Sequence, residues 1–200
     1  MGRIGLFDLE RHFAFYGAYH SNPINILIHT VFVWPILFTT LVLLHFTPAL
    51  YTPSSQIDFF PSGFLVLNFG FLSTLIYSLI YVTFDKRAGS LAALMCFSCW
   101  VGASLVADRL GFSLAWKVVL AAQLICWSGQ FIGHGVFEKR APALLDNLVQ
   151  AFLMAPFFVL LEALQTFLGY EPYPGFHASV KAKIDADRKE WNSKKQKKLS

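Results

Sequence analysis

The stretch INILIHTVFVWPILFTTLVLLHF, residues 24–46, decides the fold of this chain. It contains no acidic or basic residue other than two histidines, over the length that a helix needs to cross a hydrocarbon core of about 30 Å. Trp34 and Pro35 lie near its middle, and a proline inside a helix bends the helix. The stretch therefore predicts a kinked transmembrane helix.

Further apolar runs follow the first one. With 56% hydrophobic and 14% charged residues, the chain of 200 residues has too little polar surface to coat a water-soluble globule. A short segment before the first run, residues 6–19, has apolar residues at helical spacing and predicts an interfacial amphipathic helix. The later runs are residues 62–84, 90–107, 114–133 and 148–168. We predict an all-α polytopic membrane helix bundle with four spans and a last run that is re-entrant or a fifth apolar helix.

The last run, residues 148–168, has two interpretations because Pro156 lies near its centre. Short loops rich in Lys and Arg tend to stay in the cytosol, which places Lys86 and Lys139, and with them the N-terminus, on that side. A full fifth span would put the lysine-rich C-terminal segment on the luminal side. The charge pattern therefore favours a re-entrant hairpin around Pro156.

The positive charge is concentrated at the C-terminus. The formal net charge is +4, whereas residues 177–200 carry eight Lys or Arg against three acids, which is +5. We predict a single integral membrane domain over residues 1–170 and a basic cytosolic tail over 171–200, which suits anionic lipid and needs no nucleic acid. Lys197 and Lys198 resemble a dilysine retrieval signal of the endoplasmic reticulum, although solvated lysines at a chain end explain them equally well.

Three of the six histidines are predicted at the same depth near the cytosolic face. His20 precedes the first span, His29 lies within its first turns, and His134 ends the fourth. Three imidazoles form an open metal site, and imidazole suits Fe, Zn, Cu and Ni. The alternative is that each histidine is an interfacial hydrogen-bonding group. His12 is expected to be solvated and His45 lies at the opposite end of the first span.

Other polar residues lie near His134. Gln130, His134 and Glu138 recur every four residues and would share one helix face, where Glu138 could orient the His134 ring. Lys139, Arg140 and Asn147 are candidates for binding a substrate carboxylate, although membrane topology explains the Lys-Arg pair better.

Two segments carry a family resemblance. Residues 15–29, FYGAYHSNPINILIH, and residues 130–148, QFIGHGVFEKRAPALLDNL, resemble the signatures of the endoplasmic reticulum 2-hydroxy fatty acid dioxygenases, formerly a domain of unknown function. The resemblance extends from about residue 6 to 168. It implies an endoplasmic reticulum membrane enzyme of phytosphingosine breakdown.

The resemblance also implies a reaction and a site. The reaction is an Fe(II)-dependent α-oxidation in which O₂ shortens a long-chain 2-hydroxy fatty acid by one carbon. The catalytic, metal-binding histidines would be His20, His29 and His134. Three histidine ligands leave positions for the oxygens of a 2-hydroxy carboxylate and for O₂, and Phe-rich helices would house the acyl chain.

Two rival functions have different sequence requirements. A non-catalytic endoplasmic reticulum scaffold or shaping protein would use the histidines only as interfacial anchors. A transporter should have ionisable residues at mid-membrane in several helices, and here the middle of the spans is nearly free of charge. Cys96 and Cys99 form a lone C-x-x-C spacing, which is a weak metal or redox signal.

Overall fold

The structure, a computed structural model, describes residue 5 and residues 7–50, 66–142, 148 and 150–199. All regular structure in these residues is helical, which confirms the all-α prediction. In chain order the helices are α1 (Leu9–Tyr19), α2 (Pro23–Leu44), α3 (Phe69–Phe84), α4 (Lys86–Ile132), a first π-helix (Gly133–Glu138), a second π-helix (Gln150–Met154), α5 (Ala155–Leu168) and α6 (Phe176–Leu199).

Helix α1 is the predicted N-terminal helix. It begins at Leu9, because the Asp8 side chain accepts a hydrogen bond of 3.1 Å from the backbone N–H of Arg11 and so caps the helix. His12 is 5% exposed, and its Nε2 lies 3.1 Å from the carbonyl oxygen of Gly5. The prediction that His12 is solvated is therefore wrong, because this side of α1 is packed.

Several helices have the length and composition of membrane spans. These are Pro23–Leu44, Lys86–Glu138 and Ala151–Leu168. Helix α3 is apolar but has 16 residues. It begins at Phe69, because the Asn68 side chain caps it by accepting from the N–H groups of Gly70 and Phe71 at 2.9 and 3.2 Å. Residues 51–65, with most of the predicted loop, lie outside the described part of the chain.

Helix α4 covers both the third and the fourth predicted spans. Its backbone leaves helical geometry at Gly111, where φ is 62° and ψ is 161°. A positive φ is accessible to glycine because glycine has no Cβ. Gly111 therefore marks the boundary that the sequence predicts between the two apolar segments.

The last apolar run is helical from residue 150 to residue 168. Pro156 lies just after the junction at which the second π-helix, Gln150–Met154, passes directly into α5. The chain therefore makes no hairpin at Pro156. Of the two predictions for this run, a re-entrant hairpin or a further apolar helix, the structure agrees with the apolar helix.

The chain forms two compact units, and the first consists of the residues up to Thr30 and those from Phe131 onwards. In it α6 packs against α1, so this part of the predicted basic tail is a docked helix. The Glu10 carboxylate on α1 accepts hydrogen bonds from Tyr173, Ser179 and Lys183. Gly17 lies so close to α6 that an added Cβ would be 2.5 Å from Cδ1 of Ile184.

The second unit, Val31–Gln130, is built from apolar helices with a few polar contacts between them. Gln123 on α4 donates to the carbonyl oxygen of Ile36 and to Oγ1 of Thr39 on α2, at 3.1 and 2.9 Å. Gly129 lies against the Phe32 ring, where an added Cβ would come within 2.4 Å. The unit thus combines small residues with interhelical hydrogen bonds, as membrane helix packing requires.

Candidate metal centre

Three histidine rings meet in the first unit. His20 ends α1, His29 lies in the second turn of α2, and His134 lies in the first π-helix. The ring centroids are 4.4 Å apart for His20 and His29, 4.9 Å for His20 and His134, and 4.8 Å for His29 and His134. Their candidate ligand atoms all lie within 4.8 Å of one another, and all three residues are buried. The structure brings together the three histidines that the sequence predicts at one depth.

The chain reaches this arrangement through a very short link between α1 and α2. His20 leaves helical geometry, with φ −132° and ψ 76°. Pro23 starts α2, where its fixed φ suits the first helical position, and the Asn22 side chain accepts a 2.9 Å hydrogen bond from the N–H of Ile24. Since two residues separate His20 from α2, His29 comes to lie beside His20.

Backbone carbonyl groups orient two of the rings. Nδ1 of His20 lies 2.8 Å from the carbonyl oxygen of Tyr16, and Nδ1 of His29 lies 3.0 Å from that of Asn25. A carbonyl oxygen only accepts, so each Nδ1 donates. The Nε2 of each neutral ring then keeps a lone pair for a metal ion.

Two imidazole nitrogens in this cluster are buried without a hydrogen-bond partner in the described part of the chain, Nε2 of His20 and Nδ1 of His134. A buried, unpaired polar atom costs about 1–3 kcal/mol, and a metal ion would remove that cost. Burial lowers the pKa of His20 well below its usual range, and the nearby rings of His29 and His134 lower it further. Neutral imidazole is the ligand form, so the donor set fits a metal ion with open coordination positions.

Glu138 fixes the link that carries His20. Its carboxylate accepts from the N–H of Ser21 at 3.0 Å, the N–H of Asn22 at 2.9 Å and Nδ2 of Asn25 at 3.2 Å. The hydroxyl of Ser21 also donates to it at 2.5 Å. No hydrogen bond joins Glu138 to the His134 ring among the described contacts, so its orienting effect acts on the segment that carries His20 and His29.

The first π-helix carries His134 toward the other two rings. The carbonyl oxygen of His134 accepts from the N–H of Lys139, which has a left-handed φ of 55°, and from the N–H of Arg140 at 3.3 Å. Gly133 lies against α2, where an added Cβ would be 2.4 Å from Oδ1 of Asn25. π-Helical turns in α-helices are often found at functional sites.

Among the described residues, Lys139 and Arg140 make no hydrogen bond to the three histidine rings. Gln130 is buried and belongs to the second unit, Lys139 is exposed, and Asn147 lies outside the described residues. Arg140 donates to the carbonyl oxygen of Ala18 at 2.8 Å and to Asp187 on α6 at 3.0 Å. The guanidinium of Arg140 thus binds groups of the protein itself.

Tyr16 and Glu162 also contact the site, and no sequence motif predicts either of them as a site residue. The Tyr16 hydroxyl donates to Oε2 of Glu162 on α5 at 2.9 Å, and the Tyr16 ring stacks on His20 with centroids 4.1 Å apart. Burial raises the pKa of Tyr16 well above its usual value, and the Glu162 carboxylate adds to this effect, so the phenol stays a donor. A lone carboxylate inside an apolar run is costly, and that cost is the signal that could have drawn attention to Glu162.

The remaining histidines and the cysteines belong to no candidate metal-binding group among the described residues. His45 belongs to the second unit, and His177 on α6 contacts Gln165 on α5. Cys96, Cys99 and Cys126 are free thiols. In the described residues the possible metal-binding group is the one formed by His20, His29 and His134.

Comparison with known proteins places this site in a family. The family described as 2-hydroxy-palmitic acid dioxygenase Mpo1-like matches residues 6–167. The chain is also 38% identical, over 168 residues, to 2-hydroxy-palmitic acid dioxygenase MPO1 of Saccharomyces cerevisiae, and the match covers 84% of this chain and 86% of the yeast protein. No solved structure matches the chain. The chain therefore belongs to the Mpo1-like family of 2-hydroxy-palmitic acid dioxygenases.

Proposed function

We propose that this chain is an Fe(II)-dependent dioxygenase that converts a long-chain 2-hydroxy fatty acid to the fatty acid one carbon shorter. The observation that carries the proposal is the buried cluster of His20, His29 and His134, in which two ring nitrogens have no hydrogen-bond partner among the described residues. The yeast relative is a 2-hydroxy-palmitic acid dioxygenase by name, which supports the substrate class. The overall reaction combines the 2-hydroxy acid with one O₂ and yields the shortened acid, CO₂ and water, so the substrate supplies all four electrons.

The protein's part in this reaction is to hold and shield the site. The three imidazoles would be the metal ligands, the carbonyl groups of Tyr16 and Asn25 hold two of them in the ligating tautomer, and Glu138 holds the intervening turn. Burial of all three rings keeps bulk water away from the reacting groups. Bound Fe(II) would supply the electron transfer with O₂ that the amino acid side chains lack.

The reaction decides between iron and zinc, since three histidines suit both metals. Zinc has no redox chemistry, so a zinc-loaded protein would be inactive in an O₂-dependent oxidation. We therefore propose iron as the working metal. The proposal needs no organic cofactor, because the substrate itself reduces O₂.

The membrane setting follows from the same proposal. Helices long and apolar enough to cross a membrane suit a substrate with a long acyl chain. We propose that the enzyme acts in sphingoid base (phytosphingosine) breakdown at the endoplasmic reticulum, with both termini in the cytosol and residues 1–170 as the membrane domain. This topology requires that α5 does not cross the membrane, and the packing of α6, which follows α5, against the N-terminal helix α1 supports it. Support comes from the family resemblance, from the basic residues 177–200 and from the lysine pair Lys197 and Lys198.

A direct assay tests the reaction. Detergent-purified protein loaded with Fe(II) is incubated in air with 2-hydroxypalmitic acid, and the products are analysed by mass spectrometry. We expect the fatty acid one carbon shorter, with one oxygen atom from ¹⁸O₂ in its carboxyl group, and no product under argon or with the His134→Ala variant. Absence of product from an iron-loaded, folded preparation would contradict the proposal and favour a scaffold.

A further inference from the structure

A cavity of about 210 Å³ opens beside the histidine cluster in the first unit. Residues of α1, α5 and α6 line it, and it reaches the His20 ring. Its polar lining residues are Tyr16, His20, Glu162, Gln165, His177 and Lys181. The cavity thus combines a cation, a carboxylate and a candidate metal ligand.

We propose that this cavity binds the polar head of the 2-hydroxy fatty acid, with Lys181 pairing with the carboxylate and Glu162 accepting a hydrogen bond from the hydroxyl group on C2. This inference rests on the proposed function, because it assigns the substrate of that same site. The assignment also makes α6 a part of the binding site. Helix α6 lies beyond residues 6–167, which the family model matches.

Lys181 is suited to the carboxylate because its ammonium group is paired with no described carboxylate, including that of Glu162 in the same cavity. Among the described residues that line the cavity, Lys181 is the only Lys or Arg, and it has no hydrogen bond or ion pair with the described part of the chain. The nearby cations are already paired, Lys183 with Glu10 and Arg140 with Asp187. A charge-assisted hydrogen bond to a carboxylate is roughly twice as strong as a neutral one.

The position of Lys181 is determined by the docking of α6. Ile184, one turn later on α6, contacts Gly17 of α1 and also lines the cavity. The Glu10 carboxylate binds Ser179 and Lys183, which flank Lys181 on the same helix. The ammonium group therefore extends from a helix that is anchored on both sides of it.

Glu162 is suited to the hydroxyl group because one of its oxygens is already oriented. Oε2 accepts from the Tyr16 hydroxyl at 2.9 Å, whereas Oε1 has no partner in the described residues. Tyr16 in turn stacks on the His20 ring and accepts from it through its carbonyl oxygen. The contacts from Glu162 to Tyr16 to His20 would hold a C2 hydroxyl beside the histidine cluster, where the reaction breaks the C1–C2 bond.

The size of the cavity limits what it can hold. Its volume of about 210 Å³ is smaller than the roughly 300–1,000 Å³ of pockets that enclose whole drug-sized ligands. It therefore accommodates the carboxylate, the hydroxyl group and the first carbons, and the rest of a long acyl chain extends outside it. Phe13, Val180 and Ile184 supply apolar lining for those first carbons.

Matched ligands test the assignment without turnover. Full-length, Fe(II)-loaded protein in detergent under argon is titrated with 2-hydroxypalmitic acid, its methyl ester and palmitic acid. The ratio of the affinities for 2-hydroxypalmitic acid and its methyl ester (the acid-to-ester ratio) reports the carboxylate contact. The ratio of the affinities for 2-hydroxypalmitic acid and palmitic acid (the hydroxy-to-deoxy ratio) reports the hydroxyl contact. A site built to bind a hydroxyl group strongly rejects an analogue that lacks it.

We expect Lys181→Gln to lower the acid-to-ester ratio about 10-fold, while it leaves the hydroxy-to-deoxy ratio near the wild-type value. Glu162→Leu should lower the hydroxy-to-deoxy ratio and leave the acid-to-ester ratio near the wild-type value. Lys181→Arg should keep most of the preference for the acid over the ester. Lys189→Gln, the same charge change at an exposed position on α6, is the matched control. Such a crossed pattern would not result from general unfolding, which lowers all three affinities together.

The outcomes separate this inference from the proposed reaction. Unchanged ratios in Lys181→Gln and Glu162→Leu overturn the head-group assignment, even where the aerobic assay gives the shortened acid. The expected ratio changes without any shortened product uphold the assignment and refute the dioxygenase reaction. Equal affinity of the wild-type protein for the acid, the ester and palmitic acid also overturns the assignment.

Discussion

The Glu138 carboxylate accepts a 2.9 Å hydrogen bond from the backbone N–H of Asn22, which lies 116 positions earlier in the chain. Asn22 belongs to the two-residue link between His20 and the helix that carries His29. Glu138 itself ends the π-helix that carries His134. One carboxylate thus connects all three segments of the histidine cluster.

Replacement of Glu138 should therefore loosen the metal site without removing a ligand. We expect Glu138→Ala to lower metal affinity about 10–100-fold, the usual effect of losing a group that orients metal ligands. Glu138→Gln keeps an acceptor oxygen and should lose less. Metal affinity is measured by competition with a chelator of known affinity, and Glu190→Ala, at an exposed position of α6, is the control. Wild-type affinity in Glu138→Ala would refute the orienting role.

Each histidine of the cluster should be required for metal binding. We expect His20→Ala, His29→Ala and His134→Ala each to lose most of the bound metal and the activity, because two remaining imidazoles hold an ion weakly. Metal content is measured by inductively coupled plasma mass spectrometry on purified protein. His45→Ala is the matched control, since His45 belongs to the second unit. Full metal content in any of the three variants would exclude that residue as a ligand.

Gly133 and Gly135 provide a paired test of packing at the site. A Cβ at Gly133 would be 2.4 Å from Oδ1 of Asn25, whereas a Cβ at Gly135 meets nothing within 4 Å. We expect Gly133→Ala to destabilise the protein by about 1–3 kcal/mol, the usual cost of overpacking, and to weaken metal binding. Gly135→Ala should change stability by less than about 0.5 kcal/mol. Thermal unfolding in detergent measures both, and equal effects would contradict the packing argument.

The docking of α6 should weaken in acid. Hydrogen bonds from Lys183, Ser179 and Tyr173 lower the pKa of Glu10 from its usual 4.5 to about 2. Because the folded-state pKa is lowered, the stabilisation is complete above pH 4.5 and is lost as the pH falls from 4.5 toward 2.

We expect amide hydrogen exchange in α6 to accelerate over that pH window, after correction for intrinsic exchange rates. Glu10→Gln should have fast exchange already at neutral pH and a weaker pH dependence. Glu190→Gln, which alters an ion pair within α6 itself, is the control. A wild-type pH dependence in Glu10→Gln would show that Glu10 does not link α6 to α1.

Much of the fold could be predicted from sequence, because span length and charge distribution are local properties of the chain. The helix class and the apolar segments on either side of Gly111 are examples. The hairpin expected around Pro156 is absent, because the chain is helical on both sides of this proline. Loop charges and a proline near the centre of an apolar run do not determine whether the chain turns at that proline.

The site was predicted in part. His20, His29 and His134 could be grouped because each lies at a helix end on the same predicted side. The acceptors of the ring N–H groups, Tyr16 and Asn25, could not be recognised, since a backbone carbonyl has no sequence signature. The prediction that His12 is solvated was wrong for a related reason, because helical periodicity does not reveal which polar positions are buried in the folded chain.

Sequence by itself determined that this chain is a helical membrane protein with histidines able to meet, because apolar span length and residue type already set the solvent and the donor atoms. Only the tertiary structure decided that Glu138 binds the link after His20, that Tyr16 binds Glu162, and that α6 forms a wall of the cavity beside His20. The physical reason is distance along the chain. Hydrogen bonds between residues more than 100 positions apart depend on how the helices pack, and no local pattern encodes that packing.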